Sequence, residues 1–96
     1  MKVVWTPEAA DDLDNILSFI AGRSPQAAAS VAARIEHSLQ AISEFPRAGR
    51  IDTETGAREW PIPGLPLLVI YVHDDALIEV IALFHTSRDP ADKRRP

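Results

Sequence analysis

Two apolar runs in the last third of the chain constrain its fold more than any other feature. Residues 67–73 and 77–85 are rich in β-branched and aromatic side chains, and only the short acidic segment 74–76 separates them. Such runs are typical of β-strands, and the turn residues between them predict an antiparallel hairpin. Apolar side chains occupy both faces of each run, so both faces of this hairpin must be covered, by the rest of the chain or by another protein.

Strict alternation assigns each apolar side chain to one face of the predicted hairpin. In the first run one face holds Leu68, Ile70 and Val72, and the other holds Leu67, Val69 and Tyr71. In the second run one face holds Ile78, Val80, Ala82 and Phe84, and the other holds Leu77, Ile81 and Leu83. Helices can cover only one of these faces, so the second should be open to a partner or a second copy. Coverage by the loop 49–64 is the alternative.

The N-terminal half reads as a short strand at residues 2–5 followed by two helices. Thr6-Pro7-Glu8 is a typical helix start, with a hydroxyl cap, a proline at the first position and an acid in the first turn. Ser24-Pro25 begins a second helix after a short connection, which predicts an antiparallel helical hairpin. Apolar residues recur at helical spacing in both helices: Leu13, Ile16, Leu17 and Ile20, then Ala28, Val31, Ala32, Ile35, Leu39 and Ile42.

These elements predict one α+β domain over residues 1–96 in the order β-α-α-β-β-β. Phe45-Pro46 ends the second helix, an irregular segment follows, and residues 58–62 form a strand whose prolines suit a sheet edge. With the two apolar runs, the predicted strands are 2–5, 58–62, 67–73 and 77–85. We expect an antiparallel sheet with the helical hairpin packed on one face.

The charge balance argues against a protein that wraps nucleic acid. The chain has 10 Lys and Arg against 14 Asp and Glu, a net charge of −4, whereas binding to phosphates needs an excess of cations. The C-terminal segment is locally basic, with Arg88, Lys93, Arg94 and Arg95. The chain has no cysteine, no signal-peptide pattern and no apolar run that could span a membrane. These features predict a cytoplasmic protein without membrane contact.

No set of residues predicts catalysis, a metal ion or a cofactor. His85 and Arg88 could form a catalytic pair, but the sequence offers no nucleophile, so an interface role is the favoured interpretation. His37 and His73 do not pair with acidic residues at metal-binding spacing, so no metal is assigned to them. Asp11, Asp12 and Asp14 point in different directions and are interpreted as solvated side chains at a helix N-terminus.

Taken in order, these features resemble the ParE/RelE superfamily of bacterial toxins from type II toxin–antitoxin modules. The resemblance is carried by Val4-Trp5-Thr6-Pro7-Glu8-Ala9 with Asp12-Leu13, Phe45-Pro46-Arg47-Ala48-Gly49, Arg58, Val69-Ile70-Tyr71-Val72 with Asp74-Asp75, and His85-Thr86-Ser87-Arg88-Asp89-Pro90. It implies a small toxin that is neutralised by a cognate antitoxin.

The branch of the superfamily depends on cationic side chains. RelE-like members cut mRNA on the ribosome and need cations on the sheet to hold the scissile phosphate. The position of their third-strand arginine is occupied here by Leu68. Their second-strand lysines have no counterpart between Glu59 and Gly64, and their C-terminal tyrosine has no match in this sequence. The resemblance is therefore to the ParE-like branch, which implies inhibition of DNA gyrase without catalysis. A RelE-like mRNA interferase and an inactive antitoxin-binding remnant are the alternatives.

The resemblance also implies partners and contact residues. We expect a hetero-oligomer with a ParD-like antitoxin, which would contact Arg58, Trp60, Val69, Tyr71 and Arg88. Toxicity through target binding is assigned to His85 and the basic C-terminal segment, Arg88, Lys93, Arg94 and Arg95.

Overall fold

Two helices cover one face of a five-stranded sheet in the computed structural model, which describes residues 1–86. The elements are β1 (Lys2–Trp5), α1 (Pro7–Ala21), α2 (Pro25–Glu44), β2 (Arg50–Ile51), β3 (Arg58–Pro61), β4 (Leu67–His73) and β5 (Leu77–His85). The predicted α+β class and element order are confirmed, with the two-residue strand β2 added where an irregular segment was expected. Neither helix of the described part is long and apolar enough to cross a membrane.

Both helices begin where the sequence predicts. The hydroxyl of Thr6 accepts a hydrogen bond from the Ala9 N–H, and that of Ser24 accepts one from the Ala27 N–H, each at 3.1 Å. A proline follows each cap, where its missing N–H has no partner to lose. These local contacts stabilise both helix starts independently of the tertiary structure.

The sheet is mixed, with strand order β1-β5-β4-β3-β2. Strands β2 to β5 pair antiparallel, but β1 runs parallel to β5. The expectation of a wholly antiparallel sheet was therefore wrong for one pair. A parallel pair needs a long crossover connection, and here almost the whole chain, helical hairpin included, lies between the two strands. No turn signal in the sequence could specify the direction of such a distant pair.

A bulge in β5 shifts the alternation of its side chains. Ile70 pairs with Ala82 but Tyr71 pairs with Val80, so Ile81 is an extra residue. A one-residue shift moves every later side chain to the other face. The predicted grouping of Phe84 with Val80 was wrong for this reason. The face that packs on the helices holds Ile78, Val80 and Leu83, and the opposite face holds Ile81, Ala82 and Phe84. The predicted faces of β4 are confirmed.

The face of the sheet away from the helices is largely covered within the chain. Ile70 is 5% and Phe84 is 6% exposed, and Ala57, from the segment between β2 and β3, packs against them. The expectation of an open apolar face was therefore wrong at the centre of that face. The alternative, coverage by the loop 49–64, is correct in part, because Ala57 of that loop packs there. The large apolar side chains that are exposed in residues 1–86 lie elsewhere: Met1, Phe19, Phe45 and Ile51.

Helix α1 completes the outer edge of β5 where β1 ends. β1 pairs with β5 only as far as Val80. Beyond it, the N–H of Thr6 donates to the Val80 carbonyl at 3.0 Å, and the N–H of Leu83 donates to a carboxylate oxygen of Asp12 at 3.1 Å. The Asp12 side chain thus takes the place of a neighbouring strand, and its interpretation as a solvated side chain was wrong.

Substitution of Asp12 tests this edge contact. In Asp12→Ala the Leu83 N–H loses its acceptor, so we expect the free energy of unfolding in urea to fall by about 1–3 kcal/mol. Asp12→Asn retains an acceptor oxygen and should recover most of this loss. Asp11→Ala is the control, because it makes the same change at an exposed position of the same helix and should change stability by no more than about 0.5 kcal/mol. Equal effects at the two positions would contradict the contact.

Candidate functional site

An apolar groove of about 650 Å³ lies between α1 and the ends of β4 and β5. Most of its lining residues are apolar, and the full set is Asp12, Asn15, Ile16, Phe19, Ile20, Val31, Leu65, Pro66, Leu67, Leu83 and His85. The groove exists because β1 is short. Among residues 1–86, no strand pairs with the second half of the outer β5 edge, and the groove lies between that part of β5 and α1.

Phe19 forms an exposed wall of this groove. Its side chain is 65% exposed, and the guanidinium of Arg23 lies 4.9 Å from the centre of its ring. The sequence carried a signal for this residue, because Phe19 lies outside the apolar stripe that faces the core. An exposed aromatic side chain beside an apolar groove is typical of a surface that binds another protein.

A second candidate region lies at the opposite end of β4, where the Tyr71 hydroxyl binds the backbone of the loop that follows α2. The Tyr71 hydroxyl donates to the Pro46 carbonyl at 2.7 Å and accepts from the Gly49 N–H at 3.2 Å. The Tyr71 side chain is fully buried. A Cβ at residue 49 would collide with the Tyr71 hydroxyl, so this approach requires glycine. Tyr71 therefore fixes the backbone of the loop.

Arg58 holds the same loop from the neighbouring strand. It pairs directly with Tyr71 across β3 and β4. One terminal nitrogen of its guanidinium, Nη1, donates to the carbonyls of Arg47 at 3.1 Å and Gly49 at 2.9 Å. Hydrogen bonds from a charged donor are stronger than neutral ones. Together Tyr71 and Arg58 bind three carbonyls and one N–H of residues 46–49, which we call the pinned loop.

The pinned loop borders a second, smaller cavity. Phe45, directly before the loop, is 62% exposed, and the Arg47 side chain is exposed. The cavity has a volume of about 420 Å³ and lies between this loop and the β4–β5 turn. Its lining residues are Met1, Phe45, Pro46, Arg47, Ala48, His73, Asp74 and Asp75.

Two side chains at this end of the sheet have shifted pKa values. Burial raises the pKa of the Tyr71 phenol above its usual value of 10.0, although the Gly49 N–H and the Arg58 charge partly oppose the shift. The carboxylate of Asp74 accepts hydrogen bonds from the N–H groups of Ala76 at 2.7 Å and Leu77 at 2.9 Å. These bonds lower the pKa of Asp74 and close the predicted hairpin turn.

Comparison with known proteins identifies the family. The family described as the ParE toxin of the type II toxin–antitoxin system, parDE, matches residues 3–90. The chain belongs to the ParE toxin family. Toxin RelE2 of Caulobacter vibrioides is 32% identical to it over 87 residues, which are 91% of this chain and 97% of that protein. The Sinorhizobium fredii protein Y4kP is 32% identical over 85 residues, which are 88% of this chain and 86% of that protein.

A solved structure supports the fold of this ParE family member. A chain of the chromosomal ParDE TA system from P. aeruginosa superposes with a TM-score of 0.76 and 22% sequence identity. The superposition covers 88% of this chain and 95% of that chain. At this identity the similarity establishes the fold alone. The fold of this chain contains the β-α-α-β-β-β order predicted from the sequence, with the short strand β2 added.

The residues that the sequence assigned to antitoxin and target binding lie in different environments in the structure. Val69 and Tyr71 are buried on the face that packs on the helices, so neither side chain is on the surface of the unbound ParE chain, and Trp60 is half-buried against the same core. Arg58 uses its guanidinium to bind the pinned loop. His85 lines the groove. The remaining predicted residues, Arg88, Lys93, Arg94 and Arg95, lie outside the described residues.

The groove and the pinned loop contain functional candidates that the sequence did not predict, chiefly Phe19, Phe45 and Arg47. The exposure of Phe45 follows from tertiary packing, because phenylalanine is buried in most proteins. The exposure of Arg47 is usual for its residue type. Within residues 1–86, no three metal-binding side chains lie close enough to hold an ion.

Removal of the Tyr71 hydroxyl tests the pinned loop. Tyr71→Phe keeps the buried ring but leaves the Pro46 carbonyl and the Gly49 N–H without their partner. We expect the free energy of unfolding in urea to fall by about 1–3 kcal/mol. Thr53→Val, which removes an exposed hydroxyl, should change stability by no more than about 0.5 kcal/mol.

The same hydroxyl makes stability depend on alkaline pH. The folded phenol has a raised pKa, so the unfolded chain ionises first and stability is lost as the pH rises from about 10 through the folded pKa. The chain has one tyrosine, so tyrosinate absorbance reports on this residue alone. A native titration midpoint at or below the midpoint in urea would contradict the buried hydroxyl, and Tyr71→Phe should lack this part of the alkaline loss.

Proposed function

We propose that this chain is a cytoplasmic toxin that acts by binding DNA gyrase and that a cognate ParD-like antitoxin keeps it inactive as a hetero-oligomer. Membership of the ParE toxin family supports the toxin role. The similar structure from P. aeruginosa is of a ParDE system, which supports an antitoxin partner of the same kind.

One observation carries the choice of a binding toxin over a ribonuclease. Strands β4 and β5, which form the centre of the sheet, contain no lysine or arginine. Leu68, where RelE-like nucleases have an arginine, packs in the apolar cluster around Ile70 and Phe84. Cleavage of RNA depends on cations that stabilise the developing negative charge, and the charged side chain that β5 contributes is Glu79. Such a surface favours a partner without a phosphate backbone.

The name of one relative favours a second candidate function. The C. vibrioides protein is named Toxin RelE2, so a RelE-like mRNA interferase is the alternative. Arg58, the cation closest to a RelE-like position, uses its Nη1 to bind two carbonyls of the pinned loop, which reduces its availability to a phosphate. An inactive remnant that binds only an antitoxin is a further alternative.

The groove beside α1 is the surface that best suits the antitoxin. Its volume of about 650 Å³ and its apolar lining would accommodate the apolar side chains of an amphipathic segment. Phe19 would supply an exposed aromatic anchor. Among the residues first predicted for this role, Trp60 remains half-buried and accessible in part, and Arg88 lies outside the described residues.

Substitution of Phe19 tests the antitoxin surface. Phe19→Asp places a charge where an apolar contact is proposed, so we expect affinity for the purified cognate antitoxin to fall roughly tenfold or more in calorimetry. Phe45→Asp is the matched control, because it makes the same change at a similarly exposed phenylalanine outside the groove, and its affinity should be near wild type. Equal losses in the two variants would reject the groove.

Expression without antitoxin tests the target. A gyrase inhibitor should cause filamentation and a DNA-damage response while translation continues, whereas a ribonuclease should stop translation first and leave cut mRNA. We expect the first pattern in cells that express the wild-type chain. An inert chain would favour the remnant.

The basic C-terminal segment provides a companion variant. Arg88→Gln, Lys93→Gln, Arg94→Gln and Arg95→Gln together keep its length but remove its positive charge, and deletion of residues 88–96 removes it entirely. Both changes should abolish toxicity if this segment contacts a DNA-bound target, as the sequence predicts. Undiminished filamentation in both would reject the role of the segment and leave the gyrase proposal standing.

A further inference from the structure

The segment that follows α2 displays an exposed aromatic side chain, Phe45, and an exposed cationic one, Arg47. Phe45 is 62% exposed, although phenylalanine is one of the residues most often buried. Arg47 is exposed, and within residues 1–86 its guanidinium makes no hydrogen bond or ion pair. Aromatic residues and arginine are enriched among the side chains that dominate binding energy in protein interfaces.

The backbone that carries these two side chains is held rigidly. Tyr71 binds the carbonyl of Pro46, and Arg58 binds the carbonyls of Arg47 and Gly49. The Ala48 N–H closes the turn on the Phe45 carbonyl at 3.0 Å. A preorganised loop loses little conformational freedom on binding, so more of the contact energy is retained as affinity.

The adjoining cavity indicates the chemistry of a partner. Its volume of about 420 Å³ suits an apolar side chain, and Phe45 and Arg47 form one wall. Asp74 and Asp75 form another wall. A nucleic-acid backbone would be attracted by Arg47 but repelled by these two carboxylates. A protein surface can place an apolar group in the cavity, a carboxylate beside Arg47 and a basic or N–H donor group beside the two aspartates, so it complements both walls.

We propose that Phe45 and Arg47 form the surface with which this toxin binds its target, and that the target presents there an apolar side chain next to a carboxylate on a folded protein. This inference rests on the proposed toxin function. It gives Tyr71 and Arg58 the role of positioning residues, which act through the pinned loop and do not touch the target.

The target surface and the groove are separate. The groove is lined by Leu67 at the start of β4, and the smaller cavity is lined by His73 at its end. Six residues along a strand span about 20 Å. Substitutions on one surface should therefore leave binding at the other unchanged.

Two matched double variants test the assignment. Phe45→Ala with Arg47→Glu changes the proposed target surface, and Phe19→Ala with Arg23→Glu makes the same chemical changes at the groove. Each full-length chain is expressed without antitoxin to measure surviving colonies, and each purified chain is titrated with the cognate antitoxin. Circular dichroism and urea unfolding check that both are folded. Phe45→Ala alone serves if the first double variant unfolds, because it removes only an exposed ring.

We expect opposite losses in the two variants. Phe45→Ala with Arg47→Glu should restore at least about tenfold more surviving colonies than wild type and keep its antitoxin affinity. Phe19→Ala with Arg23→Glu should remain toxic and bind the antitoxin more weakly. Tyr71→Phe should reduce toxicity but leave the affinity of the groove for the antitoxin unchanged, whereas a purely structural role would reduce both.

Other results overturn the proposal in distinguishable ways. Full toxicity of the Phe45→Ala, Arg47→Glu variant would reject the target surface and leave the toxin function intact. Equal loss of toxicity in both double variants would also reject it. A wild-type chain without effect on growth would reject the proposed function and this assignment together. Salt-dependent binding of a short random-sequence DNA duplex by the wild type, lost in this variant, would make the partner a nucleic acid and reject the protein partner.

Discussion

The outer edge of β5 is the constraint on which the rest of the structure depends. β1 covers this edge only as far as Val80, and beyond it the chain must satisfy strand N–H and carbonyl groups by other means. Thr6 and Asp12 do so from the start of α1. These contacts fix the position of α1 over the sheet, and with it the position of α2. The groove results from this arrangement, because α1, and not a further strand, lies beside the second half of the β5 edge.

The bulge at Ile81 has an equally wide effect. Without it, Phe84 would share a face with Val80 and would meet the helices, while Leu83 would face away. With it, Leu83 lies in the main core and lines the groove, and Phe84 fills the second cluster with Ile70. A single extra residue therefore distributes apolar side chains between the two faces, which lets a chain of this size bury both.

The opposite end of β4 has a different physical basis. There the structure depends on polar contacts made by Tyr71 and Arg58. The two side chains are cross-strand neighbours, and both reach back to the loop between α2 and β2. The buried hydroxyl has an acceptor and a donor, as a polar group in a core must. The result is a fixed backbone beneath exposed side chains at one end of the sheet and an apolar groove at the other.

The sequence by itself determined the features that depend on neighbouring residues. The two helix starts, the β4–β5 hairpin and the bounds of β1, β4 and β5 follow from caps, periodicity and turn chemistry within a few residues, and the family pattern extends over most of the chain. Only the tertiary structure decided the parallel direction of β1, the bulge at Ile81, the acceptor role of Asp12 and the partners of Tyr71. The parallel pair, the Asp12 contact and the Tyr71 contacts join residues far apart in the chain, and local propensity carries no information about which distant groups will meet. The bulge lies within the hairpin, but strict alternation of apolar residues does not show where an extra residue is inserted. The exposure of Phe45 was decided in the same way, because an aromatic side chain packs inward unless the surrounding elements leave it no place in the core, whereas the position of Phe19 outside the apolar stripe of α1 already indicated its exposure.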